Sequence, residues 1–122
     1  MMKKKHTVVI GASPNPSRYS HRAVQMLDSA DHPVKAVGIR EGEISGIQIT
    51  KELMPFDAVD TVSLYVGPRN QDYWKDYIKG LKPKRVIFNP GTENDDFQNE
   101  LTREGIEVEE ACTLVLLSMG SY

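Results

Sequence analysis

The segment Gly11-Ala12-Ser13-Pro14-Asn15-Pro16-Ser17-Arg18 puts a glycine, a hydroxyl and an arginine directly after the β-branched run Thr7-Val8-Val9-Ile10. These residue types suit phosphate. Gly11 lets the backbone turn tightly, while Ser13 and the free amides at the start of a following helix can meet an anion. A second basic residue, Arg40, stands at the end of the next apolar run, where arginine suits a ribose phosphate held bidentately. The dinucleotide fingerprint G-x-G-x-x-G is absent, since only its first position is glycine, and so is the lysine-Ser/Thr ending of a P-loop. Ordinary NAD binding and ATP hydrolysis both lose ground. NAD enzymes place an acid after strand two for the ribose 2′-hydroxyl, whereas here Arg40 holds that place and Glu41 follows.

Other chemistry-bearing residues do not assemble by spacing. His6, His21 and His32 lack Cys or acidic partners at metal-site intervals, so no metal site is expected. No Ser–His–Asp, paired-carboxylate or Cys–His arrangement emerges, and no catalytic set is assigned. Cys112 reads as a small buried apolar residue, or as a thiol near a bound ligand. Tyr73, Trp74 and Tyr77 fall at a helical spacing that a core explains without a stacking role, and Glu93 to Asp96 read as a solvated helix start favoured by the dipole. Taken singly, Arg18 and Arg40 are surface charges and Gly11 to Ser13 a strand-to-helix turn. Together, at two adjacent strand ends, they read as ligand contacts.

The elements that position these residues follow from punctuation. Thr7 to Ile10 is a buried strand. Tyr19, Ala23, Met26, Leu27 and Ala30 give a helix over roughly 17–30, with Asn15, Ser17 or Ser20 as cap. Val34 to Ile39 is a second strand, Arg40 to Gly46 a polar loop, Ile47 to Ile49 a small edge strand, and Thr50 to Met54 one helical turn before Pro55. Thr61 to Val66 is a third core strand stopped by Gly67-Pro68. An amphipathic helix from Tyr73 to Leu81 follows and ends at Pro83. Arg85 to Phe88 repeats the strand pattern. Thr92 with Asp95 suggests a capping box for a helix carrying Phe97 and Leu101, which Gly105 closes. Ile106 to Val108 is the last short strand, and Cys112 to Met119 fits a buried helix or a strand.

Strands alternating with helices predict a doubly wound, three-layer α/β domain with a mostly parallel sheet of five strands. Ligands in such sheets lie outside the carboxyl ends of strands where strand order reverses. That singles out loops 11–18, 38–46, 67–70 and 89–94. The candidate binding residues are Gly11, Ala12, Ser13, Arg18, Ile39, Arg40, Gly67 and Pro90.

Composition bounds the function. The 122 residues suit a single domain, 1–122, and 39% hydrophobic with 26% charged residues is a folding composition. Lys+Arg 15 against Asp+Glu 17 gives a net charge of −2, which supplies no global basic field for nucleic acid or an anionic membrane. Any anion must be caught locally. The longest apolar stretch, Leu114 to Leu117, is far short of the ~20 residues that span a bilayer. One cysteine, together with a Met-Met-Lys-Lys-Lys-His start that runs straight into a strand, points to a reducing, cytoplasmic setting.

The run Val8-Val9-Ile10-Gly11-Ala12-Ser13-Pro14-Asn15-Pro16-Ser17-Arg18 resembles the G-A-S-x-x-P-x-R/K opening of the small CoA-binding proteins. These are stand-alone relatives of the nucleotide-binding domain in the succinyl-CoA synthetase alpha subunit. Glu43-Ile44-Ser45-Gly46, Val59-Asp60-Thr61-Val62 and Gly105-Ile106-Glu107-Val108 leading to Cys112 extend the match over nearly the whole chain. The resemblance implies a Rossmann-like fold and coenzyme A or acyl-CoA as ligand. It also implies that Gly11, Ala12 and Ser13 approach the pyrophosphate, that Arg18 neighbours phosphate, and that Arg40 stands where the family's V-N-P-K/R loop supplies a basic residue. The V-N-P part appears here as Val37-Gly38-Ile39, and the W-L-Q-x-G stretch as Phe88-Asn89-Pro90-Gly91. The match does not extend to the domain carrying the synthetase's phosphorylated histidine, so ligase activity is not implied. The expected function is non-catalytic binding of CoA or acyl-CoA, with the protein partner unknown. The alternative is a small NADP- or CoA-dependent oxidoreductase or acyl transferase.

Overall fold

β1 (Thr7–Ile10) is buried at every position in the computed structural model, which describes residues 3–122. It lies at the centre of a seven-stranded sheet ordered β3-β4-β2-β1-β5-β6-β7, where β2 is Val34–Val37, β3 Gly42–Ile44, β4 Ile47–Thr50, β5 Thr61–Leu64, β6 Arg85–Phe88 and β7 Glu107–Glu110. Every pairing is parallel except that of β3 with β4. The expected doubly wound fold is present, but the sheet has seven strands where five were expected.

The sequence reading missed β3, taking Gly42 to Ile44 as loop. Three residues including a glycine and a glutamate carry little strand signal, and the pairing comes from the turn. Ser45 (φ 48°) and Gly46 (φ 88°) both take positive φ, as a two-residue hairpin turn requires, and set Ile44 opposite Ile47. The helical turn expected over 50–54 is absent. Thr50 completes β4, and 51–60 crosses to β5 as irregular chain. Tyr77 anchors that crossing by donating its hydroxyl proton to the Met54 carbonyl at 2.6 Å.

Among the described residues four α-helices cover the two faces: α1 (Tyr19–Ser29), α2 (Asp72–Leu81), α3 (Asp95–Arg103) and α4 (Thr113–Ser118), the last resolving the open segment after Cys112 as helix. Because side chains alternate along a strand, Val8 and Ile10 pack with Trp74 and Ile78 of α2 and Phe97 and Leu101 of α3. Val9 packs on the other face with Val24 and Leu27 of α1. Helix α1 starts at Tyr19, two residues later than read. Helix α3 is capped by Asn94, whose Oδ1 accepts the Phe97 amide at 3.2 Å, and not by Thr92. The Thr92 hydroxyl is unavailable because it donates to the Asn89 carbonyl at 2.8 Å. Among the described residues no helix is long and apolar enough to cross a membrane.

A buried polar knot ties α4 to the sheet. Asn89, fully buried, donates from Nδ2 to Ser63 Oγ and to the Leu64 carbonyl, both at 3.0 Å, and accepts the Thr113 amide on Oδ1 at 2.8 Å. The Ser63 and Thr113 hydroxyls bond each other at 2.7 Å. Asn89→Leu removes all three of its side-chain hydrogen bonds from the core, including the acceptor of the buried Thr113 amide, so the expected loss is about 2 to 4 kcal/mol of folding stability, read by urea denaturation. Wild-type stability in this variant would remove the knot's role.

Candidate functional site

The chain passes from β1 to β2 on one side of the sheet and enters β5 on the other side of β1, so strand order reverses between β1 and β5. A cleft of about 830 Å³ opens there at the carboxyl ends of the strands. Its size falls in the roughly 300–1,000 Å³ range of small-molecule sites.

One wall is the turn after β1. Gly11 has φ 91°, and a Cβ on it would lie 2.6 Å from the Tyr65 carbonyl oxygen, so the turn closes directly onto the chain leaving β5. The Gly11 and Ala12 amides both donate to the Val37 carbonyl, at 2.9 and 3.1 Å. These two residues line the cleft with their amide protons already committed. Gly38 presses on the same turn from β2, and any side chain there would collide with the Ala12 carbonyl. This contact accounts for glycine between Val37 and Ile39.

Ser13 to Arg18 are braced internally. The Ser13 carbonyl accepts the His21 Nδ1 proton at 3.0 Å, Asn15 Oδ1 accepts the Ser17 amide at 3.0 Å, and the Asn15 carbonyl accepts the Arg18 amide at 3.0 Å. His21 is therefore a buried support for the loop. Helix α1 then begins with no side-chain cap, since Arg18 at the N-cap position provides none and the first turn holds no acid. The first amides of such a helix have no intrahelical acceptor. The Tyr19 and Ser20 amides are of this kind, and both residues line the cleft. Arg22 steadies the rim, its guanidinium 5.9 Å from the centre of the Tyr19 ring.

The opposite wall is Tyr65, Val66 and Gly67, then a single 3-10 turn, Pro68–Asn70, that leads into α2. Fully buried Gln71 fixes this turn. Its Nε2 donates to the Val66 carbonyl at 2.8 Å and the Thr92 carbonyl at 2.6 Å, and its Oε1 accepts from Asn94 at 2.9 Å. Burial pushes the Tyr65 phenol well above its ordinary pKa, which keeps it protonated.

Seven of the eight candidate residues, Gly11, Ala12, Ser13, Arg18, Ile39, Arg40 and Gly67, line this cleft. Pro90 does not. It sits exposed beyond β6, and loop 89–94 supports the cleft from beneath through Gln71. Pro14, Asn15 and Asn70 also line the cleft and fall in the loops singled out from the sequence, whereas Tyr19, Ser20, Tyr65, Val66, Tyr73 and Trp74 lie outside those loops and were missed. Tyr73 and Trp74 follow a 3.6-residue period that signals a packed helix face. Only the position of α2's first turn beside the β5 exit shows that they also face the cleft. Arg18 and Arg40 are the charged residues of the lining, and it contains no carboxylate, histidine or thiol. Cys112 lies half-buried outside it, and no cluster of His, Cys, Asp or Glu among the described residues has metal-binding geometry.

A doubly wound α/β domain with a cleft at the carboxyl ends of its strands, where strand order reverses, is a Rossmann-like domain. The chain belongs to the family described as CoA binding domain, whose profile matches residues 5–118 and associates it with coenzyme A. The crystal structure of an uncharacterized protein is 45% identical, with TM-score 0.97, covering 99% of this chain and 100% of that one. A hypothetical protein from Pyrococcus horikoshii OT3 (20% identity, TM-score 0.85, 96% of this chain and 84% of that one) shares the fold. So does a protein from Thermus thermophilus (21%, TM-score 0.83, 98% and 91%). A search of curated proteins finds no match.

Proposed function

We propose that residues 1–122 act as one non-catalytic domain that binds coenzyme A or acyl-CoA, with the phosphates at the loop after β1. The observation that carries this reading is the uncapped N-terminus of α1, facing a cleft whose charged lining residues are Arg18 and Arg40. A helix N-terminus and arginines complement phosphate. The pyrophosphate lies at the Tyr19 and Ser20 amides with Arg18 beside it, and Arg40, on the far side of β1, takes the ribose 3′-phosphate. Ser13, Ile39 and Gly67 complete the walls. Binding without catalysis is supported by the makeup of the lining. General acid–base or nucleophilic catalysis needs a positioned titratable group, and the lining's phenols and hydroxyls have no base beside them.

A thermal-shift panel tests the reading. CoA raises the melting temperature and NAD does not, because a ligand at about 100 times its Kd stabilises by about 2.7 kcal/mol. Equal shifts with both, or none with either at millimolar concentration, would defeat the assignment. A shift with NADP alone would favour an oxidoreductase.

A further inference from the structure

The cleft is divided by charge. Its two arginines stand on the β1 and β2 side, whereas the β5 and α2 side is built from Tyr65, Val66, Gly67, Asn70, Tyr73 and Trp74 and carries no charge. A ligand with its phosphates at α1 extends one arm toward each side. The adenosine 3′-phosphate matches the arginine side, which leaves the neutral thiol arm of CoA for the other.

That neutral end has apolar surface open to a ligand. Tyr73 is 65% exposed although it lines the cleft, and the indole of Trp74, itself only 3% exposed, braces it edge-on with ring centres 5.1 Å apart. An exposed tyrosine alone needs no explanation. Here, however, the ring is braced by Trp74 and lines the same uncharged end of the cleft as Val66 and Asn70, whose side-chain amide is a polar group of the kind the thiol arm's own amides need. We infer that this end receives an uncharged acyl group, lying against Tyr73, so that the protein prefers acyl-CoA thioesters with short apolar chains to free CoA. The inference rests on the proposed CoA site.

Burying a methylene fully strengthens binding about fourfold, and covering half of it about twofold. Butanoyl-CoA is therefore expected to bind about tenfold tighter than CoA. Succinyl-CoA gains nothing over CoA, because its carboxylate meets no cation at that end. Calorimetric titrations of wild type, Tyr73→Ala, Tyr73→Phe and Arg40→Ala with these three ligands decide the matter. The readout is the ratio of CoA Kd to butanoyl-CoA Kd. It is expected to fall within twofold of unity in Tyr73→Ala, to persist in Tyr73→Phe, and to persist in Arg40→Ala, where both affinities drop together. A ratio near one in wild type, an unchanged ratio in Tyr73→Ala, or a preference for succinyl-CoA would overturn the inference while leaving CoA binding intact. Failure of wild type to bind any of the three would overturn the CoA site itself.

Discussion

Gly11→Val is expected to cost the fold about 2 to 5 kcal/mol, the sum of forcing a β-branched residue into left-handed backbone and of overpacking a closed site. Both terms act at once at this position. The backbone has φ 91°, and the added Cβ would lie 2.6 Å from the Tyr65 carbonyl oxygen, 2.8 Å from its carbonyl carbon and 3.0 Å from Val66 Cγ2. None of these atoms can swing aside cheaply, because Tyr65 is tied into the sheet through its amide, which donates to the Ile10 carbonyl at 2.8 Å. Gly67→Ala is the matched comparison within the same cleft. A Cβ there has the Gly91 oxygen at 4.0 Å as its nearest neighbour, so a change under about 1 kcal/mol is expected. Urea denaturation of both variants checks the contrast, and equal stabilities would mean that the turn after β1 is not the rigid contact described.

The second large effect concerns affinity. A chain of net charge −2 attracts no polyphosphate from a distance, so local donors must hold it. Arg18 and Arg40 are exposed and form no ion pair among the described residues, which leaves both guanidiniums able to fork onto phosphate. A charge-assisted hydrogen bond contributes about 1.5 to 3 kcal/mol, so each truncation to alanine should weaken CoA binding about ten- to a hundredfold, and the exposure of both residues favours the lower figure. The double variant should lose about a hundredfold or more while keeping wild-type stability, since neither side chain packs into the core. A double variant that binds CoA as wild type does would leave both arginines as surface charges.

Much of the architecture was legible because the core strands are short β-branched runs bounded by glycine and proline. Thr7 to Ile10, Thr61 to Leu64 and Arg85 to Phe88 announce themselves in that way. β3 did not, because Gly42-Glu43-Ile44 has no strand character of its own. The Ser45-Gly46 pair between two isoleucines was the signal available for it. Arg40 was read as the end of a strand and a loop, and it lies in the bend between β2 and that hairpin. The loop after β1 was recognised from residue types, but the commitment of the Gly11 and Ala12 amides to the Val37 carbonyl depends on β2 lying alongside, which no local pattern encodes. Asn89 looked like a departure in a ligand loop. Its three side-chain hydrogen bonds gather Ser63, Leu64 and Thr113, residues 24 to 26 positions away, so its role is long-range. The neutral wall of the cleft escaped notice for a related reason, since Tyr73 and Trp74 satisfy a core pattern and acquire a second role only from the position of α2.

The central claim, that this cleft holds coenzyme A by its phosphates, is tested most directly by titrating wild type and Arg40→Ala with CoA and with dephospho-CoA in a calorimeter. Wild type should prefer CoA by about tenfold or more, the contribution of one charge-assisted contact to the 3′-phosphate. In Arg40→Ala the two ligands should bind alike, both still through the pyrophosphate at α1. No heat with either ligand at millimolar concentration would contradict the claim outright, and an unchanged preference in Arg40→Ala would place the 3′-phosphate away from the end of β2.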